Sequence, residues 1–239
     1  VAGGALVATA SYAAYVAVAW SRYGRYVDPG GDAADPLLDR FMPEYEVVER
    51  HHVRVFAPAE ITQAAAADLD LHRSAVIRAV FKGRELVMGA DPDEAVRPRA
   101  FLPLVKSLGW GVLAEVPDRE IVMGAVTQPW KANVVFRALP PEEFAAFHEP
   151  GYVKIVWTLR ADPAGPGESV ARTETRAATT DPAARAKFRR YWSLASPGIR
   201  LIRHFSLAIV KEEAERRAAR RSLGREARRS DSHERPTLR

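Results

Sequence analysis

Glu174 and Arg176 are the charged residues whose spacing comes nearest to a chemical device. They stand two apart in a run that alternates as a β-strand, so their side chains share one face, with Arg172 beside them. Such a pair can orient the polar end of a ligand. It can equally belong to a solvated outer face, with Ala171, Thr173, Thr175 and Ala177 turned inward. The cost of an unpaired buried charge favours the outer face. The six histidines offer no metal site. His51 and His52 are adjacent and would point to opposite faces of a strand, and His72, His148, His204 and His233 are scattered, whereas a metal needs three or four convergent ligands. Gly109-Trp110-Gly111 with Ala114 echoes a dinucleotide loop, but it lacks the preceding strand and following helix that give such a loop meaning. No zinc-protease helix, P-loop or nucleophile elbow is present. The chain has no cysteine, which excludes disulfides, thiolate metal sites and cysteine nucleophiles. Neither a metal nor a cofactor is expected.

The elements that must position these residues are legible from periodicity. Of 239 residues, 47% are apolar, enough for a sizeable core. Residues 44–57 alternate and are rich in β-branched side chains, which predicts a strand ended by Pro58. Pro58-Ala59-Glu60 opens a helix running to about Leu69, and a second helical stretch covers His72 to Lys82. Phe101 to Leu108 reads as a short helix. Strands are predicted over Trp110–Val116, Arg119–Thr127, Lys131–Leu139, Tyr152–Asp162 and Glu168–Ala178, with a short helix opening at Pro140-Pro141. Asp181-Pro182 then starts a long helix. Phe188, Trp192, Ala195, Ile199, Ile202, Phe205 and Ile209 form its apolar stripe, and Ser196-Pro197-Gly198 is expected to kink it. A sheet with one apolar face needs a cover, and this helix is long enough to supply it.

The two ends differ from the middle. Residues 1–21 are rich in Ala and Val and carry no charge before Arg22. As a helix they would span about 30 Å, so a transmembrane anchor is expected, with Tyr12, Tyr15 and Trp20 as interface residues. Ala17-Val18-Ala19 leaves a cleaved export signal as the main rival, and a buried soluble helix is the third reading. Arg22 and Arg25 after the span place the main domain on the cytoplasmic side of a single-pass membrane protein. Residues 22–43 read as a linker, 44–217 as the domain, and 218–239 as a charged, disordered tail. The net charge of +5 sits mostly at the C-terminal end: Lys211 to Arg239 holds ten Lys or Arg against six Asp or Glu. The folded part is nearly neutral, so no nucleic-acid partner is expected.

The order strand, two helices, antiparallel strands and long helix resembles the START-like (SRPBCC) superfamily. Local wording is also similar: Tyr45-Glu46-Val47 with Val53-Arg54-Val55, Pro58-Ala59-Glu60, and Glu143-Phe144 to Pro150-Gly151-Tyr152 leading into Trp157. Thr173-Glu174-Thr175-Arg176 is followed by Asp181-Pro182-Ala183-Ala184-Arg185 and Phe188-Arg189-Arg190-Tyr191-Trp192. The resemblance covers about Glu44 to Arg217. It implies an α+β helix-grip fold, a curved antiparallel sheet around the C-terminal helix, here preceded by the apolar N-terminal helix. It also implies an internal apolar cavity. If that cavity exists, Met123, Trp130, Ile155, Trp157, Glu174, Arg176, Tyr191 and Trp192 are its candidate ligand-binding residues.

The leading expectation is a binder, and possibly a transporter, of a hydrophobic small molecule or lipid at a membrane surface, without covalent chemistry. The first rival is an enzyme of the same fold, a polyketide cyclase-like or aromatic-ring-modifying protein. It would need convergent acid–base groups, and Glu174, Arg176 and Tyr191 are the set to nominate. The second rival is an interaction domain with a filled core.

Overall fold

The computed structural model describes residues 2–25, 35–89 and 97–233, with side chains described for 9–25, 35–89 and 97–224. Its strands are β1 (Val47–Val55), β2 (Gly111–Val116), β3 (Glu120–Thr127), β4 (Phe136–Arg137), β5 (Val153–Gly165) and β6 (Glu168–Thr179). Its helices are α1 (Ala2–Arg22), α2 (Pro36–Asp39), α3 (Ala59–Ala67), α4 (Ala75–Met88), α5 (Phe101–Ser107), α6 (Pro141–Ala146) and α7 (Pro182–His233). The sheet runs β1-β6-β5-β3-β2, antiparallel throughout, and β4 pairs with the end of β3. The first strand therefore closes onto the last, Val47 opposite Ala177 and Val55 opposite Ser169.

α7 crosses the inner face of this sheet, the helix-grip arrangement of an α+β fold. Asp181 caps it, Oδ1 accepting from the amides of Ala183 (2.7 Å) and Ala184 (3.0 Å). The helix continues through Pro197. Beside that proline, Gly198 lets α4 approach closely: a Cβ there would lie 3.0 Å from Cγ1 of Val80. The expected strand over 131–139 shrinks to two residues. There the backbone is held by Gly109, whose φ of +98° suits glycine and whose absent Cβ would sit 2.1 Å from the Phe136 carbonyl oxygen.

Three apolar clusters fill the molecule. On the inner face, Ile121, Met123, Leu207, Val210 and Ala214 pack with α3 and α5 at one end, while Val153, Ala177, Phe188 and Trp192 pack with Tyr23 at the other. On the outer face, Leu113, Val122, Val126 and Val156 lie under Leu38, Phe41 and Phe144. β3 is buried along its whole length because both of its faces are covered.

Three expectations about the ends are corrected. α1 is helical, yet no helix among the described residues is long and apolar enough to cross a membrane. The expected single-pass anchor and its membrane placement are therefore overturned. Alanine supplies length with little hydrophobicity, and the polar atoms of α1 are used on α7. Tyr12 donates to the Leu194 carbonyl (2.8 Å), Tyr15 bonds Ser196 Oγ (3.3 Å), and Arg189 reaches the Trp20 carbonyl (2.8 Å) while lying 4.1 Å over its ring. The linker expected over 22–43 contains α2 and the buried residues Tyr23, Asp35, Leu38, Phe41 and Met42; residues 26–34 lie outside the described residues. The tail expected to be disordered from 218 is helical to His233. Spaced acid–base pairs, Arg217 with Glu213 (2.8 Å) and Lys211 with Glu215 (2.6 Å), support the turns that lead into it, and within it Arg221 lies 3.7 Å from Glu60. Residues 234–239 lie outside the described residues.

Candidate functional site

Between Trp192 and Leu207 the inner face of α7 is only half-buried: Ile199, Ile202, Arg203 and Ser206 look into empty space rather than into side chains. That space is a cavity of about 350 Å³ between the middle of α7 and the sheet, closed at the far side by α3 and α5. Volumes of this size suit small-molecule sites. β5 contributes Ile155, Trp157, Leu159 and Arg160, and β6 contributes Ala171, Arg172, Thr173, Thr175 and Ala177. Strand alternation dictates the apolar and threonine members of this set, since odd-numbered residues of both strands face α7, while Arg160 and Arg172 border it.

The wall opposite α7 is aromatic. Trp110 packs on Phe136 (ring centroids 4.9 Å) and meets Trp157 edge-on (5.8 Å), and Phe101 leans on Trp157 (5.4 Å). An apolar groove between α4, α7 and Trp130 adjoins the cavity and shares Phe81, Phe136, Tyr191, Ile199 and Ile202 with it. The opening therefore lies beside the long helix.

Three arginines border this cavity: Arg160 and Arg172 are each closed by Asp162 (2.7 and 2.9 Å), and Arg203, from α7, is not. Arg203 donates to Thr175 Oγ1 (2.7 Å) and Thr173 Oγ1 (3.3 Å), and its guanidinium lies 5.9 Å from the Trp157 ring centroid. Among the described residues no carboxylate forms an ion pair with it. Glu49, the acid acting on it from a distance, is held by Arg200 at 3.3 Å. Burial pushes the Arg203 guanidinium down to about 10, partly countered by Glu49, so it remains cationic at neutral pH. A guanidinium carries five N–H donors, and the two threonines use only part of them. A second polar atom faces the same space: Gln63 donates through Nε2 to the Leu159 carbonyl (3.2 Å), and its Oε1 is buried without a hydrogen-bond partner.

The expected site residues fall into three groups. Ile155, Trp157, Tyr191 and Trp192 line the cavity. Trp130 lines the adjoining groove together with Tyr191. Met123, opposite Trp157 in the sheet, is fully buried in the packed core at the cavity's end. Glu174 and Arg176 are the correction: as even-numbered residues of β6 they sit on the outer face and cannot reach the cavity. The solvated outer face is corrected as well, because Glu174 is 5% and Arg176 2% exposed. Arg176 binds Glu174 (2.7 Å), Asp39 (2.6 Å) and the Met42 carbonyl (2.9 Å), and Arg50 holds the other oxygen of Glu174 (2.8 Å). Tyr45 completes this cluster, bonding Arg50 (2.9 Å) under the Arg176 guanidinium. Glu174, Arg176 and Tyr191 are thus not brought together.

Sequence reasoning passed over Arg203 and Gln63. A usable signal exists for Arg203: it lies four residues after Ile199 and four before Leu207, on the face that an apolar stripe should occupy. Nothing in the local sequence marks Gln63.

No family model matches the chain, and no curated protein matches it. Among solved structures it is similar to a protein of Deinococcus radiodurans, at 16% identity over 68% of this chain and 99% of that one, with a TM-score of 0.26. CalU16 from Micromonospora echinospora matches at 16% identity, 72% and 97% coverage and a TM-score of 0.25. The Zhui aromatase/cyclase of a Streptomyces species matches at 16% identity, 72% and 94% coverage and a TM-score of 0.23. Likeness at this level carries no weight for function. The class of protein is set by the strand order and by α7 gripped against the sheet.

Proposed function

We propose that this chain binds a hydrophobic small molecule in the cavity beneath α7. The observation that carries the reading is an apolar, partly aromatic void of about 350 Å³ where a closed core would otherwise be packed solid. A filled-core interaction domain has no use for such a void. The enzyme reading loses its nominated set, since Glu174 and Arg176 face away from Tyr191. Among the described cavity-lining residues there is neither a carboxylate nor an imidazole, which favours binding over acid–base turnover.

The test is native mass spectrometry of the full chain, purified gently from its own cells, with thermal shift across a panel of hydrophobic molecules. A retained apolar mass, or a panel member that raises the Tm, is expected. An empty protein that none of the panel stabilises would overturn the reading.

A further inference from the structure

Arg203 is costly where it stands. A guanidinium held in an apolar cavity by two neutral hydroxyls has lost much of its hydration without gaining a counter-charge. The sheet's own arginines are matched, two of them at the border of this same cavity. Arg176 has Glu174 and Asp39, and Arg160 (2.7 Å) and Arg172 (2.9 Å) share Asp162. Each of these guanidiniums is closed by a carboxylate within ion-pair distance. Arg203 has none among the described residues, and its two threonines fix the planar group while leaving donors free to face the void.

Resting on the cavity reading above, we infer that the ligand is an amphiphile with one anionic oxygen group, which docks on Arg203 while its apolar body fills the space toward Trp157 and Phe101. Thr173 and Thr175 are positioning residues: they hold the guanidinium against β6 so that its remaining donors present to the ligand. The anion completes the missing ion pair in a low-dielectric setting, where charge-assisted hydrogen bonds are strongest. A neutral ligand of the same shape would fill the cavity and leave the cation uncompensated.

The experiment uses the full chain and the neutral fluorophore 1-aminoanthracene, displaced in parallel titrations by decanoate and by decan-1-ol. We expect 1-aminoanthracene to bind, and decanoate to displace it at least about tenfold more tightly than the alcohol. In Arg203→Met that ratio, taken between the two competitors within the variant, should collapse to about one, and Arg203→Lys should retain part of it. If fluorophore binds and the two competitors are equal in the parent, the anionic ligand is overturned and the cavity reading stands. If decanoate keeps its advantage in Arg203→Met, the carboxylate is bound elsewhere on this basic protein and the inference fails. If the fluorophore does not bind and neither competitor shifts the Tm, the cavity reading itself fails and takes this one with it. Should Arg203→Met not fold, the parent ratio and the Arg203→Lys variant still decide.

Discussion

The two faces of β6 handle arginine in opposite ways. On the outer face, Arg176 is closed in by Glu174, Asp39 and the Met42 carbonyl, under α2 and with little space left over. On the inner face, Arg203 reaches across from α7 to Thr173 and Thr175, one residue to either side of Glu174 along the strand, and borders a void. Adjacent residues of one strand thus serve a finished polar cluster on one side and an unfinished one on the other. The finished cluster ties α2 and β1 to the sheet. An unmatched cation beside empty space is the expected form of a site that its ligand completes.

The comparison breaks most readily at the arginines themselves. Arg176→Met removes one partner of a buried ionic cluster and strands the Met42 carbonyl, so we expect a loss of about 3 kcal/mol in urea unfolding. Arg203→Met removes a charge that has no buried counter-ion, so the ligand-free protein should change by less than about 1 kcal/mol or gain stability. Equal losses at the two positions would show that Arg203 is a structural cation like Arg176.

The outer face carries a second acid, and its sign of pH dependence is distinctive. Glu120 is 5% exposed, accepts a hydrogen bond from Thr158 (2.9 Å), and faces Asp35, the buried cap of α2. Burial first, then the neighbouring Asp35 carboxylate, pushes Glu120 up to about 7 from an ordinary 4.5. Between those two values the folded protein holds the proton and the unfolded chain has released it. Stability attributable to Glu120 therefore falls as pH rises through about 4.5 to 7, and is level outside that window. Glu120→Gln can keep the Thr158 hydrogen bond without ionising. It should flatten that slope and gain on the order of 2 kcal/mol at pH 8 relative to the parent. Denaturant titrations at pH 5 and pH 8 measure this directly, and a parent slope that survives in Glu120→Gln would place the titrating group elsewhere.

The same contrast explains what the sequence could disclose. Alternation in β5 and β6 is a local property. It assigns Ile155, Trp157, Thr173 and Thr175 to one face and Glu174 and Arg176 to the other. Likewise the apolar spacing of α7 announces a helix laid on a sheet. What covers the outer face is not local: Asp39 and Met42 come from a stretch rich in turn residues that reads as a linker, and their partner Arg176 lies far along the chain. Asp35 and Glu120 meet for the same long-range reason. In α1, composition suggests a membrane span, but tyrosine hydroxyls used on α7 mark a packed helix instead. A cavity is harder still, because a residue lining a void and one filling a core are the same residue types at the same spacing. Only the charge at 203 in the apolar stripe hints that something other than packing lies beneath.

Two smaller effects sharpen the inner face. Ile202 borders both the cavity and the groove, so Ile202→Trp should narrow the opening and slow 1-aminoanthracene association by about tenfold in stopped flow. Unchanged rates would put the route elsewhere than beside α4. The smallest change concerns Gln63, whose Nε2 has a partner in the Leu159 carbonyl and whose buried Oε1 has none. Gln63→Leu gives up one hydrogen bond, worth about 1 kcal/mol, and removes an unsatisfied acceptor that costs about as much or more. The ligand-free protein should therefore hold or gain up to about 1 kcal/mol in urea unfolding. A hydroxylated amphiphile that uses Oε1 as its acceptor would show the converse, weaker binding to the more stable variant. A clear loss of stability without any change in binding would instead make Gln63 a strap between α3 and β5, and leave Arg203 as the polar anchor of the cavity.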